Sequence, residues 1–459
     1  MSNVVVRFAP SPTGFLHIGG ARTAIFNYLF ARHHKGKFYL RIEDTDIERS
    51  EKQYEDEILE SMHWLGMDYD GEPIYQSKRT ELYKQYIDKL LASGHAYYCN
   101  CSKEELDAER VKATAEKRKP VYGGKCRRCP TNTGVVRFKI PESGVTIFND
   151  AILGEIRIDH KEIEDFVIAR SDKSPTYNFT VVVDDAEMNI THVIRGDDHV
   201  NNTPKQILIY EALGLKPPIF AHVPMILGPD KQKLSKRHGA TAVTQYRKLG
   251  YLPEALFNYL VRLGWSHGDD EIFTKDELIE FFDTNSIGSS AAVLNLEKLN
   301  WLNAHYIKVM PPKEIAERVV SEGFVPEEHK KRLFDSDVQK LLPMIQERSK
   351  MLGDVYKGLE FFLKDTVEYD EKAKAKHLTP EIKPVVQELV DELNKLSSFD
   401  DINKIETIFT TLIEKHNIKL KHLAQAVRVL ITGTDVSPGI FEIMSLMGKE
   451  RTLKRLQFL

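Results

Sequence analysis

Val4-Val5-Val6-Arg7-Phe8-Ala9-Pro10-Ser11-Pro12-Thr13-Gly14, running on into Phe15-Leu16-His17-Ile18-Gly19-Gly20, is the stretch on which the reading of the fold turns. The β-branched run predicts a strand, the Pro/Ser/Gly cluster a turn, and the residues from about 19 to 32 a helix. A second strand is expected over residues 38–42, closing on Glu43-Asp44-Thr45-Asp46. Strand, helix and strand in this order build a parallel sheet. Sheets of that kind bind ligands at the carboxyl ends of their strands, where these charged residues gather.

Working outward, Leu82, Tyr83, Tyr86, Ile87, Leu90 and Leu91 keep one apolar stripe and predict a helix. From Cys99 the sequence changes to short polar and basic segments, with strand-like runs at 134–140, 152–158 and 166–169, so residues 99–180 read as an insertion. The α/β pattern then returns: a strand over 191–195 carries Asp197-Asp198-His199 at its end, a helix runs to Leu213-Gly214, and a further strand leads into Lys233-Leu234-Ser235-Lys236-Arg237-His238-Gly239. Beyond Pro253 the pattern is helical, with a seam at Pro311-Pro312 and a late amphipathic helix marked by Leu420, Leu423, Val427, Leu430 and Ile431. The expected fold class is α/β. Residues 1–98 and 181–240 form the two halves of a Rossmann-like domain around the insertion, and all-helical regions follow over 241–324 and 325–459.

A chain of 459 residues has room for about three domains. With 42% hydrophobic and 29% charged residues it is neither disordered nor fibrous, and it shows no basic leader or long apolar run. A cytoplasmic protein away from membranes is expected. The net charge of −4 argues against a simple coat for a polyanion, yet six Lys/Arg and no acid lie between Lys117 and Arg128, a local patch suited to phosphates. The four cysteines, Cys99, Cys101, Cys126 and Cys129, are confined to one short stretch. In a reducing compartment, Cys-x-Cys and Cys-x-x-Cys pairs separated by a loop predict thiolate ligation of one Zn²⁺, with Cys129 as fourth ligand.

His17-Ile18-Gly19-Gly20 sets an imidazole and bare backbone N–H groups at a helix entrance, a favourable seat for phosphates, although the pattern is neither a P-loop nor Gly-x-Gly-x-x-Gly. Lys233 to Arg237 offers three cations within five positions, able to close over a triphosphate and neutralise a departing pyrophosphate. The two motifs in this order resemble the class I aminoacyl-tRNA synthetases. His17-Ile18-Gly19-Gly20 is similar to their His-Ile-Gly-His, with glycine in the fourth place, and Lys233 to Arg237 is similar to their Lys-Met-Ser-Lys-Ser. Arg7 to Gly14, Arg41 to Asp46, Pro175 to Phe179, Ile194 to His199 and Leu446 to Arg451 extend the resemblance, over essentially the whole chain, to the bacterial glutamyl-tRNA synthetases.

That resemblance implies ATP-dependent ligation of L-glutamate to tRNA(Glu) through a glutamyl-adenylate, with Mg²⁺ brought by ATP and activation dependent on bound tRNA. It places Arg7, Ser11, Glu43, Tyr177 and Arg195 in the glutamate pocket, either arginine being free to take either carboxylate. His17, Gly19, Gly20, Asp198 and Lys236 fall on the ATP side, and His17, Lys233 and Lys236 carry catalysis. The insertion would meet the acceptor stem, residues 241–324 the stem, and residues 325–459 the anticodon. Relatives pair Cys-x-Cys with Tyr-x-x-x-Cys, so Tyr122 rivals Cys129 as the fourth zinc ligand; a thiolate is the better ligand of the two. Arg348 lies near where relatives read the third anticodon base and points to discrimination between tRNA(Glu) and tRNA(Gln). A non-discriminating or tRNA(Gln)-preferring enzyme is the alternative. A short paralogue that modifies a tRNA base lacks the helical region past about 325, and a catalytically dead RNA-binding protein would have lost the two ATP motifs, which this chain retains. A monomer is expected.

Overall fold

Strand β1 (Val5–Phe8) and strand β2 (Lys37–Ile42) pair in parallel, Val5 opposite Lys37 and Phe8 opposite Leu40, with helix α1 (Ile18–His33) crossing between them. The computed structural model describes residues 4–46, 49–117, 121–128, 131–234 and 242–457. α1 starts at Ile18, slightly before the expected position, because His17 caps it: the ring Nδ1 accepts from the Gly20 N–H at 3.2 Å. Its Ala21, Ala24, Ile25, Phe26, Leu29, Phe30 and Ala31 are all buried. A helix apolar on most faces is a crossover helix enclosed on several sides. At its exit Gly36 is required by contact, since a Cβ there would lie 2.2 Å from the Val4 carbonyl oxygen.

Helix α2 (Lys52–Trp64) and the short strand β3 (Ile74–Tyr75), parallel to β2, complete the first half. In helix α3 (Thr80–Ala92) the expected stripe is the buried face, with Tyr83, Tyr86, Ile87 and Leu90 in the core. Strand β4 (Ala96–Cys99) is followed by helix α4 (Lys103–Ala115), the single-turn helix α5 (Lys125–Arg128) and strand β5 (Val135–Phe138). Strands β6 (Val145–Asp150) and β7 (Gly154–Asp159) form an antiparallel hairpin, and strand β8 (Val167–Ala169) joins β4 and β5 in an antiparallel sheet ordered β4-β5-β8.

Two details of this region differ from expectation. The strand expected over 152–158 begins at Gly154, because the Asp150 carboxylate accepts from the N–H groups of Ile152 at 3.0 Å and Leu153 at 2.9 Å and turns that segment. Strand β6 was not foreseen. Its core-facing residues are Thr146, Phe148 and Asp150, two of them polar, while Val145 and Ile147 face outward, so the hydrophobic alternation is inverted.

Helix α6 (Tyr177–Glu187), strand β9 (His192–Gly196), helix α7 (Thr203–Ala212) and strand β10 (Ile219–Val223) form the second half, with β9 and β10 parallel. The two parallel ribbons meet at the entrance of β9, where the Thr191 N–H donates to the Val5 carbonyl at 2.9 Å. The switch point between the halves therefore lies between β1 and β9. Arg7 and Arg195 sit near the carboxyl ends of these two strands, the place where such sheets take ligands.

The chain divides into two compact units, Met1–Tyr246 with Leu256–Asn295, and Arg247–Ala255 with Leu296–Leu459. The second unit is helical and encloses one core, to which the helices Ser336–Gln346, Leu352–Leu363, Lys383–Asn394, Ile402–Lys415 and Leu420–Thr432 all contribute. Leu423, Val427, Leu430 and Ile431 of the expected late helix are buried, but Leu420 at its start is exposed. Pro312 opens the helix Pro312–Ser321, where its missing N–H costs nothing. No helix among the described residues is long and apolar enough to cross a membrane.

Candidate active site

Three strands and one helix of the first unit bring the predicted pocket residues together. Arg7 leaves β1 with its guanidinium on Asp185 of α6, Nε to Oδ1 at 3.0 Å and a terminal nitrogen to Oδ2 at 3.3 Å. Arg41 of β2 donates to the same Asp185 Oδ1 at 2.6 Å and to Glu43 Oε1 at 3.0 Å. Asp184, beside it in sequence, accepts from Gln76 at 2.7 Å, Arg79 at 2.7 Å and Tyr83 at 2.9 Å. Tyr177 stands at the start of α6, its hydroxyl 3.1 Å from His199 Nδ1 and within the field of Glu43, Arg195 and Arg7. Burial, with the Glu43 charge behind it, pushes its phenol up to about 12. Ser11 is exposed on the turn after β1, next to Pro10, whose carbonyl accepts the Glu43 N–H at 2.9 Å.

The charges of this cleft are uneven. Burial opposes ionisation of Asp185, yet Arg7 and Arg41 hold its carboxyl below the usual carboxylate range. Burial raises the Glu43 carboxyl despite Arg41 at its side. Arg195 has no carboxylate partner among the described residues. Its Nε donates to His222 Nε2 at 3.1 Å and NH2 to Thr203 Oγ1 at 2.7 Å, while NH1 is buried with no partner among the described residues. A guanidinium 5% exposed and without an anion is costly to maintain unless an anion arrives with the ligand.

Of the residues expected on the phosphate side, His17, Asp198 and Lys233 lie near one another at the mouth of α1. With Nδ1 accepting from Gly20, a neutral His17 carries its proton on Nε2 and offers it outward. Crowding, opposed by Asp198 and reinforced by Lys233, lowers its pKa, which favours that neutral capping form. Gly19 keeps this arrangement open, because a Cβ at that position would stand 3.0 Å from the His17 ring. Lys233 is exposed and forms an isolated β-bridge with Leu227. Lys236 and the rest of its loop lie outside the described residues, as does Cys129.

Cys99, Cys101 and Cys126 place their sulfurs within 4.8 Å of one another, the group of potential metal ligands found among the described residues. Cys101 Sγ and Cys126 Sγ are 3.5 Å apart, too far for a disulfide. The Tyr122 hydroxyl lies 3.5 Å from Cys99 Sγ and 3.9 Å from Cys101 Sγ, and accepts from the Cys126 N–H at 2.9 Å. Gly134, at φ +106°, lets the chain pack against the backbone of Cys99: a Cβ would lie 2.3 Å from the Cys99 carbonyl oxygen. Although burial resists it, hydrogen bonding with Tyr122 and Arg137 draws the Cys99 thiol down to about 7, while burial and the neighbouring sulfurs push Cys101 up to about 12. Converging thiols that cannot ionise together without a cation are a donor set that fits a thiophilic metal ion.

Arg348 is exposed in the turn that follows the helix Ser336–Gln346 of the second unit, with Arg428 as a like-charged neighbour. Several residues with a place in the cleft escaped the sequence reading: Asp184, Asp185, Thr203, His222 and Asp150. The available signals were two adjacent acids ending the apolar run Val181-Val182-Val183 and a lone histidine in Ile219-Phe220-Ala221-His222-Val223.

Residues 3–301 match the family described as tRNA synthetases class I (E and Q), catalytic domain, and residues 314–459 match an anticodon binding domain. The chain is 52% identical to the glutamate–tRNA ligase of Geotalea uraniireducens, over 100% of this chain and 98% of the relative. It is 50% identical to that of Geobacter sulfurreducens with the same coverage of both. Among solved structures, a glutamate tRNA ligase from Elizabethkingia meningosepticum in complex with its amino acid superposes with a TM-score of 0.88 at 34% identity, covering 99% of each chain. Matched along its whole length in sequence and in fold, the chain belongs to the glutamate–tRNA ligase family of class I aminoacyl-tRNA synthetases.

Proposed function

We propose that the protein joins L-glutamate to tRNA(Glu) in two steps, and the observation that carries this reading is the buried Arg195 guanidinium, which has no carboxylate partner among the described residues. In the first step the α-carboxylate of glutamate attacks the α-phosphorus of ATP, the bond to the bridging oxygen breaks, and pyrophosphate leaves. In the second, a ribose hydroxyl of the terminal adenosine attacks the acyl carbon and AMP departs. Neither step needs an enzymic nucleophile; both need reactants held in line and developing charge neutralised. Arg195 grips a carboxylate of the substrate, with Arg7 as the second cation and Ser11 and Tyr177 as hydrogen-bonding groups. Glu43 holds the ammonium group. His17, with Gly19 and Gly20, receives phosphate oxygens; Asp198 stands on the same side, and Lys233 and Lys236 neutralise the departing pyrophosphate, with Mg²⁺ supplied by ATP. The reaction belongs to a cytoplasmic monomer in which residues 99–180 meet the acceptor end, 241–324 the stem and 325–459 the anticodon.

Arg348 supports discrimination between tRNA species, being an exposed arginine on the unit that contains the anticodon-domain match. In charging assays on purified tRNA(Glu) and tRNA(Gln), the unaltered protein acylates only the former. Arg348→Gln relaxes that preference by ~1–3 kcal/mol, the scale of one direct base contact. Equal charging of both tRNAs by the unaltered protein selects the non-discriminating reading instead.

The thiols fit Zn²⁺, which when bound would cross-link β4 to α5 and serve structure rather than chemistry. Cys99, Cys101 and Cys126 would hold it, with Cys129 as fourth ligand, since burial and the Cys99 side chain push the Tyr122 phenol still further from its anionic form. Elemental analysis of protein never exposed to chelator returns one zinc per chain, lost in Cys101→Ser and Cys129→Ser and kept in Tyr122→Phe. Loss in Tyr122→Phe with retention in Cys129→Ser assigns the fourth position to the tyrosine.

A further inference from the structure

Arg195 is held from behind by a buried chain of polar groups that the reaction itself does not use. Asp150, at the end of β6, is 2% exposed; its Oδ1 accepts from the N–H groups of Ile152 at 3.0 Å, Leu153 at 2.9 Å and His222 at 3.2 Å. Its Oδ2 is 2.6 Å from Nδ1 of His222, a residue of β10 with no exposed surface. The other ring nitrogen, Nε2, accepts from Arg195 Nε at 3.1 Å and lies 3.0 Å from Thr203 Oγ1, which in turn accepts from Arg195 NH2 at 2.7 Å.

This arrangement permits one protonation pattern. Arginine has donors only, so His222 Nε2 has to present a lone pair, and the single proton of a neutral imidazole then sits on Nδ1 and is donated to Asp150. Asp150 accepts it on Oδ2, its ionised form being favoured by the backbone N–H groups that Oδ1 accepts. The guanidinium is thereby fixed along its Nε/NH2 edge by two acceptors that carry no negative charge, and NH1 is left without a partner among the described residues. Had evolution placed a carboxylate at position 222, Arg195 would be neutralised before any substrate arrived.

We propose that His222, oriented by Asp150, is the positioning residue that aims Arg195 at the substrate carboxylate while leaving the positive charge of that arginine unspent. The proposal rests on the reading of Arg195 as a carboxylate-gripping group. It assigns to the β6–β7 hairpin a part in recognition of an acidic amino acid through the far side of the pocket, 72 residues from the histidine it orients.

Asp150→Asn is the incisive variant. It keeps Oδ1 for the three backbone donors but turns an amide N–H toward His222 Nδ1, so the imidazole proton has to move to Nε2, where it meets the Arg195 N–H. Three measurements apply to the full-length protein in tRNA-dependent pyrophosphate exchange: the KM for glutamate, the KM for ATP, and the His222 tautomer from ¹⁵N chemical shifts. The expected result is a tautomer change with the glutamate KM raised about tenfold and the ATP KM changed less than about twofold. His222→Phe should show the same split. His222→Gln, whose side-chain oxygen can replace Nε2 as acceptor, should recover most of the glutamate KM; this pair also decides the matter should Asp150→Asn not fold. An unchanged glutamate KM in a folded Asp150→Asn protein with a switched tautomer overturns the positioning role, as does a His222→Gln no better than His222→Phe. Arg195→Gln separates the two layers: if it raises the glutamate KM while the Asp150 and His222 variants do not, only the positioning role fails. If it leaves that KM unchanged, the reading of Arg195 falls and the proposal with it.

Discussion

Replacing Arg195 by glutamine lowers kcat/KM for glutamate in tRNA-dependent pyrophosphate exchange by roughly a hundredfold or more, the largest functional effect expected of any described pocket residue. Losing one member of a buried, hydrogen-bonded charge pair costs about 2–5 kcal/mol, and each ~1.4 kcal/mol is a factor of ten. Arg195 falls in that class because its hydrogen-bond partners among the described residues are the uncharged His222 and Thr203, so on the proposed reading the substrate carboxylate is the first anion to pair with it directly. Arg7 differs: it is already bidentate on Asp185, and its charge is partly spent before glutamate binds. Arg7→Gln should therefore cost less for glutamate binding than Arg195→Gln. Steady-state kinetics with glutamate varied at saturating ATP and tRNA checks both, and equal losses from the two variants would contradict this ordering.

Asp185→Asn should cost the first unit about 3 kcal/mol of stability. Asp185 is 2% exposed and joins Arg7 of β1 to Arg41 of β2, so neutralising it leaves two buried guanidinium groups facing a neutral amide. Breaking a buried pair from one side is worth ~3–5 kcal/mol, and the retained amide oxygen keeps the change near the lower limit. The sign with pH follows from the depressed carboxyl of Asp185. A group whose folded pKa lies below its unfolded value stabilises above the unfolded pKa and loses that contribution as pH falls through the folded one. The gap between wild type and Asp185→Asn is then full at pH 7 and narrows below about pH 4. Glu43, whose carboxyl is raised chiefly by burial and least by Asp185, works in the opposite direction in both proteins and alters the comparison little. Denaturant unfolding at several pH values measures it; a gap that widens with acid would contradict the assignment.

What the sequence makes legible here is set by how local each signal is. Arg7, Glu43 and His17 lie at a strand end or a helix entrance within one strand–helix–strand unit, and Cys-x-Cys shows in three residues. Asp185 stands in the acid pair that ends an apolar run and His222 interrupts another, and each by itself reads as a satisfied core position. Their meaning depends on partners 178 and 27 positions away, Arg7 and Arg195, and no periodicity connects these. Strand β6 was hidden by the same cause, for its inward Asp150 serves the network around Arg195 rather than the hydrophobic core. The thiol cluster was legible as ligands, and Tyr122, named from the resemblance as the rival fourth ligand, does place its hydroxyl 3.5 Å from Cys99 Sγ.

The most direct test of the central claim is exchange of labelled pyrophosphate into ATP by the purified protein, measured with glutamate or glutamine, each with and without tRNA(Glu). The account predicts exchange with glutamate and tRNA together and with no other combination, because a buried guanidinium without a paired carboxylate selects a carboxylate over an amide and the resemblance implies an activation step that depends on tRNA. Exchange supported by glutamine but not by glutamate would contradict it.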